Sequence, residues 1–373
     1  MKNLSAPRAL LATTLGVAAF FSVVSTSPAA DLAAKPYRIL ATTQIPAAGG
    51  IDYVTADSVN RRVYVACGSV VSVFDLDTYK LAGSLPNAAG RGVAVDPEYH
   101  TGLVSGNPAT FFNTKTLQAI TTLPAPGADG YIFDPFTHHF IISSHRAPNL
   151  LVVNSKDGSV VGTVDAIAPG GVNAAVEQGV SDGEGHLYFD VANMHHIAVV
   201  DAKTLKVTGH FDLGEKGTGP AGLAIDIKNH ILFAMCRGGA GGTPTCVILS
   251  AVDGKIITTL PLAGSSDGGG FNPRTMEAFS SHGNGTLTVI QEISPTEFVV
   301  KETVQTKAGG KTCTVDTKND HVIVITREAV PGAATASAAT PASAEPAAPG
   351  QKGGGKGKGG GGPQLLDVLF IGR

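Results

Sequence analysis

Apolar residues along this chain come in short runs, each closed by a cluster of Asp, Asn, Ser or Gly. "VSVFDLDTYKLAGSL" (71–85), "TFFNTKTLQAITTL" (110–123), "LLVVNSKDGSVVGTV" (150–164), "HIAVVDAKTLKV" (196–207) and "CVILSAVDGKIITTL" (246–260) share one pattern. A run rich in β-branched residues meets a polar turn, and a second such run follows. Runs of this length bounded by turn residues predict β-hairpins. A second pattern precedes each hairpin: an apolar run, an Asp, a turn and another strand. It occurs as "YVTADSVNRRVYVAC", "GVAVDPEYHTGLVSG", "YIFDPFTHHFIISSH", "EQGVSDGEGHLYFDVAN", "GLAIDIKNHILFAMC", "GGFNPRTMEAFSSH" and "TCTVDTKNDHVIVIT". The aligned turn residues are Asp57, Asp96, Asp134, Asp182, Asp226, Asn272 and Asp316.

Seven copies of a four-strand unit, recurring at roughly 40–45 residues, predict an all-β, seven-bladed β-propeller. One four-stranded sheet cannot bury both faces alone, so each must stack between neighbours. The seventh copy supplies "TCTVD" and "HVIVITR", and then "LLDVLFIGR" at the C-terminus, which makes three strands. "YRILATTQIP" (37–46), ahead of the first copy, is an orphan strand. A 3+1 closure is expected, with 37–46 completing the last blade beside 365–373. Residues 328–364 are rich in Ala and Pro, then in Gly and Lys. Such a tract cannot pack a core, so it is expected to be a disordered insertion in that blade. By topology it leaves the disc on the face where the innermost strands begin.

Residues 1–30 read as a signal peptide, with Lys2 and Arg8 before the apolar run Leu10–Val24 and small residues in "STSPAA". Residues 31–373 then form one exported domain, periplasmic or secreted, and a monomer is expected. No other segment is apolar enough to span a membrane. The net charge of −3 gives no basic field for nucleic acid. Export permits disulfides. Cys236 and Cys246 flank a loop between two strand-like runs and are the first candidates for a bridge, with buried free thiols the alternative; Cys67 and Cys313 complete the set.

The chain resembles the YncE-like, YVTN-repeat β-propellers of exported bacterial proteins. The resemblance rests on "GLAIDIKNHILF", "VVDAKTLKV" and above all "FNPRTMEAFSSHGNGTLTVIQE" (271–292), and it covers residues 37–327 and 365–373. It departs from the family in having no "YVTN" tetrapeptide, where "YVAC" (64–67) stands instead. It implies the fold and little chemistry.

Equivalent positions point to a site. Five residues before each turn residue stand Asp52, Arg91, Asp129, Glu177, Ala221, Asp267 and Lys311. Six of the seven are charged, in a chain only 15% charged. In a propeller these positions surround one mouth of the central channel. Four carboxylates against two cations there would focus a local field. Ten or eleven residues after the turn, His145 and His282 are expected on the same face. A histidine–carboxylate set suits a divalent metal or acid–base chemistry. No HxH, HExxH, GxSxG or CxxCH spacing occurs. The leading expectation is a non-catalytic binder of a small molecule, peptide, glycan or other polymer. The alternative is a lactonase-like or other metal-assisted hydrolase using Asp129, His145, Glu177, Asp267 and His282.

Overall fold

The computed structural model describes residues 35–145, 149–169, 174–331 and 362–373, besides Met1. The expected signal peptide and most of the expected insertion lie outside these residues.

Among the described residues, twenty-eight strands form seven four-stranded sheets, and each of the first six sheets uses four consecutive strands. Blade 1 comprises β2 (Ile51–Asp57), β3 (Arg62–Cys67), β4 (Val70–Asp75) and β5 (Leu81–Pro86), ordered from the axis outward. Blades 2 to 6 repeat this order and begin with the inner strands β6 (Val93–Asp96), β10 (Ala128–Asp134), β14 (Val176–Ser181), β18 (Pro220–Asp226) and β22 (Ser266–Asn272). Blade 7 takes β26 (Cys313–Asp316), β27 (His321–Ala329) and β28 (Gln364–Gly372) from the end of the chain and β1 (Arg38–Pro46) from its start. Arg38 pairs with Gly372 and Pro46 with Leu365, so the two ends zip antiparallel and close the ring.

The middle strands are buried on both faces, which explains their unbroken apolar runs. Along β3, Val63 and Val65 pack with Ile323 and Phe370 of blade 7, while Tyr64 and Ala66 pack with Val93 and Phe112 of blade 2. There are seven such clusters, one between each pair of neighbouring blades. The outermost strands are largely exposed on their outer faces, as in β9 (Gln118–Leu123).

The turn Asp has a structural duty. Asp57 Oδ1 accepts hydrogen bonds from the Val59 and Asn60 amides, and Asp96 Oδ1 from those of Glu98 and Tyr99. Four residues after the turn Asp or Asn the chain enters the left-handed region, at Arg61, His100, His138, His230, Met276 and Asp320. Blade 4 uses Gly185 one position earlier. A short polar side chain that holds the tip amides fits such a turn.

The candidate disulfide between Cys236 and Cys246 does not form; all four cysteines are free and buried. The reason is register. In blade 5, Cys246 of β20 (Thr245–Ser250) lies opposite Met235, and Cys236 of β19 (Ile231–Cys236) lies opposite Thr245. Neighbours one step apart on a strand face opposite ways. Cys236 therefore packs toward blade 4 and Cys246 toward blade 6.

Strands β27 and β28 run slightly into the expected insertion. Ala329 pairs with Gln364, and the Val330 amide donates to the Pro363 carbonyl. Among the described residues, no helix is long and apolar enough to cross a membrane.

Candidate functional site

Each inner strand begins at one face of the disc and ends at its turn Asp on the other. The residue five before the turn therefore sits at one mouth. Asp52, Arg91, Asp129, Glu177, Asp267 and Lys311 meet there and form a closed circuit. Arg91 Nη1 donates to Asp52 Oδ2 at 2.5 Å, and Arg91 Nε lies 2.9 Å from Asp129 Oδ1. His145 Nε2 stands between Asp129 Oδ2, at 3.3 Å, and Glu177 Oε1, at 3.6 Å. Arg237 bridges Glu177, at 2.8 Å, and Asp267, at 3.0 Å. Lys311 Nζ lies 3.1 Å from Asp267 and 3.9 Å from Asp52, where the circuit closes. Acidic and basic groups alternate all the way round.

Arg237 was not among the expected residues. Blade 5 places the small, buried Ala221 at the ring position, and Arg237, just past the end of β19, fills that gap. Arg237 stands eleven residues after Asp226, as His145 stands eleven after Asp134. The signal was present, but it needed a count of eleven throughout. A count of ten leads to Cys67, Cys236 and His282, which face the inter-blade packing.

His282 is thus a correction. It is fully buried at the end of β23 (Glu277–His282), and its Nε2 lies 2.8 Å from Thr288 Oγ1. Burial pushes its pKa down to about 4, so it is a neutral core imidazole. It takes no part in the mouth.

The exposures of the charged side chains differ around the mouth. The side chains of Arg91, Lys311, Arg237 and His145 are 54%, 39%, 36% and 33% exposed, against 27%, 23%, 12% and 3% for Asp267, Asp52, Glu177 and Asp129. Asp129 and Glu177 lie deep, and each basic group is more exposed than the carboxylates it pairs with. What solvent meets is a cationic rim on an acidic bed.

Burial sets the charges of the bed. It pushes the Asp129 carboxyl up, and nearby His145 and Arg91 only partly offset that. Burial acts on Glu177 in the same direction, but the hydrogen bond to His145 and the Arg237 charge outweigh it and hold Glu177 below the usual range. The Glu177 contact raises His145 against its own burial.

Beneath the ring the channel is crossed. Gln178 of blade 4 accepts from the Leu223 and Gly269 amides and donates to the Gly269 carbonyl, bridging to blades 5 and 6. Tyr53 donates to Asp129 Oδ2 at 3.2 Å. Tyr131 leans across blade 2 where Gly92 leaves room: a Cβ there would come within 1.9 Å of the ring. Past this plug, toward the turn face, lies a cavity of about 350 Å³ lined by Phe133, Phe271, Ile225 and Thr314, with no charged residue in its wall.

Compared by sequence, the chain matches no protein-family model. It matches no curated protein either. Compared by structure, it is similar to solved propellers. A chain of a mitotic checkpoint complex superposes with a TM-score of 0.65 at 12% identity, over 85% of this chain and 95% of that one. The structure of U3-55K gives 0.64 at 9% identity, over 87% and 98%. A chain of Kuenenia stuttgartiensis hydrazine synthase gives 0.61 at 12%, over 73% and 91%. At such identities the likeness concerns the fold alone. This chain is a seven-bladed β-propeller with a closed ring of charge at one mouth.

Proposed function

We propose that this protein is an exported, YncE-like propeller that binds, without chemistry, a ligand bearing a carboxylate or phosphate group at the charged mouth. One observation carries this reading: at every step of the ring the cation is more exposed than the carboxylates it pairs with. An anion approaching the mouth meets N–H donors first, and charge-assisted hydrogen bonds are the strong ones. The deep carboxylates hold those donors in place at little entropic cost on binding. The ligand class spans small molecules, peptides and acidic glycans or other polymers. The periplasm or the medium is the proposed location, on the strength of residues 1–30, and a monomer is the proposed state. The hydrolase reading is weaker, since its histidine pair is reduced to His145 and its best-placed carboxylate, Asp129, is almost fully buried.

The test is a calorimetric titration at low salt, with metals chelated, using inorganic phosphate, polygalacturonate and neutral dextran. The two anions are expected to bind and dextran not to. Lys311→Gln removes one exposed donor and is expected to weaken anion binding about tenfold, the scale of one charge-assisted hydrogen bond. Equal binding of dextran, or anion binding indifferent to Lys311→Gln, overturns the proposal.

A further inference from the structure

We propose that Asp129, His145 and Glu177 form a binding site for a divalent transition-metal ion of the zinc class, with one coordination position open to the mouth. The three residues each offer a ligand atom, and these atoms lie within 4.8 Å of one another. Zinc binds imidazole nitrogen and carboxylate oxygen at about 2.0–2.2 Å, so neighbouring ligand atoms around a tetrahedral ion stand about 3.4 Å apart. His145 Nε2 lies 3.3 Å from Asp129 Oδ2 and 3.6 Å from Glu177 Oε1. Two edges of that tetrahedron are therefore already present.

A second observation points the same way. His145 Nε2 is a buried atom held within 3.6 Å of both carboxylates, and Asp129, whose Oδ1 faces Arg91 Nε, is only 2% exposed. The imidazole nitrogen is nearly equidistant from two carboxylate oxygens, at 3.3 Å and 3.6 Å. A nitrogen shared in this way between two carboxylates is a donor set that a metal ion of this class accepts.

The surroundings fit the support that metal ligands need. Ligating carboxylates are commonly held by outer partners. Here Arg91 holds Asp129 from one side and Arg237 holds Glu177 from the other. Those two arginines also set a limit. With neutral His145 the ring carries four carboxylates and three cations, hence −1; a dication makes it +1. The bound ion then needs an anion to balance it, and the 33% exposure of the His145 side chain puts the site next to solvent at the mouth. The metal site is independent of which ligand the mouth takes, but it makes an anionic ligand the natural fourth donor.

The experiment uses Zn²⁺ alone, titrated into chelator-stripped protein, with Co²⁺ as a spectroscopic substitute. Wild type is expected to take up one equivalent, and the Co²⁺ form to show the visible absorption of a four-coordinate site. His145→Gln is expected to lose affinity at least tenfold while the metal-free protein still melts cooperatively. His196→Gln, which removes an imidazole near His210 at another place, is expected to change nothing. No stoichiometric uptake by wild type, uptake unchanged in His145→Gln, or uptake lost in His196→Gln would each overturn the proposal. Since anion binding is measured with metals chelated, a failure here leaves that reading standing, and the reverse holds too.

Discussion

Two buried carboxylates meet at the turn face. Asp226 Oδ2 and Glu292 Oε2 are both buried without another partner, and the proximity of Asp226, on top of burial, pushes Glu292 up to about 7. One proton shared between them satisfies both oxygens. The sign of the resulting pH dependence follows directly. The folded state keeps a proton that the unfolded chain, near the ordinary 4.5, releases. This contribution is present below pH 4.5 and lost as pH rises through about 7. His282 does the opposite: pushed from 6.5 down to about 4, it contributes above 6.5 and loses that as pH falls through 4. The two slopes overlap and nearly cancel, each on the order of 1–2 kcal/mol once solvent screening is allowed for. In urea unfolding from pH 4.5 to 7, the slope of stability against pH is therefore expected to be more positive than wild type in Glu292→Gln and more negative in His282→Asn. Parallel profiles in all three would refute the assignment. The same histidine shows the limit of reading side chains from spacing. Asp52, Arg91, Asp129, Glu177, Asp267, Lys311 and His145 were legible because one count from the turn serves every blade. His282 was misplaced, and Arg237 missed, because one step along a strand reverses the side chain.

At the scale of elements, closure depends on the two chain ends and on what anchors them. Glu277 is fully buried, and Tyr37, Lys301 and Arg373 converge on it. The Arg373 guanidinium also lies 4.1 Å from the Tyr37 ring centre. The last side chain of β28's tail and the residue before β1 are thus clamped to blade 6. Arg373→Ala removes the clamp while Lys301 still compensates Glu277, so a loss of about 1–3 kcal/mol is expected. Arg38→Ala, on the exposed side of β1, is expected to cost under about 0.5 kcal/mol. Equal losses from the two variants would mean that the clamp does nothing. The closing strand was legible because a three-strand blade and an orphan strand each lack a partner. The cysteines were not: a loop between two strands suggests a bridge, but only the register shows Cys236 and Cys246 on opposite faces. Thiol titration is expected to find no reactive cysteine in the native protein and four after denaturation; fewer than four in the unfolded chain would restore a disulfide.

The whole molecule is a ring of seven interfaces with one feature at each mouth. At the inner-strand starts the channel is ringed by alternating charge, with Gln178 and Tyr53 beneath; toward the turn face lies an uncharged cavity. Repeat count, blade order and the existence of a charged mouth follow from periodicity, since a propeller sets equivalent positions around one axis. The depth of each charge does not. Whether a cation lies over or under its carboxylate depends on side-chain length and on neighbours in adjacent blades, so spacing showed which positions are charged but not which groups reach solvent first. That layering is what the functional account rests on. Crystals soaked in selenate, with metals chelated, test it most directly through anomalous scattering. The strongest bound site is expected at the ring mouth, within hydrogen-bond reach of Arg91 or Lys311. Strong sites confined to the turn face or the outer strands, with none at the mouth, would contradict the account.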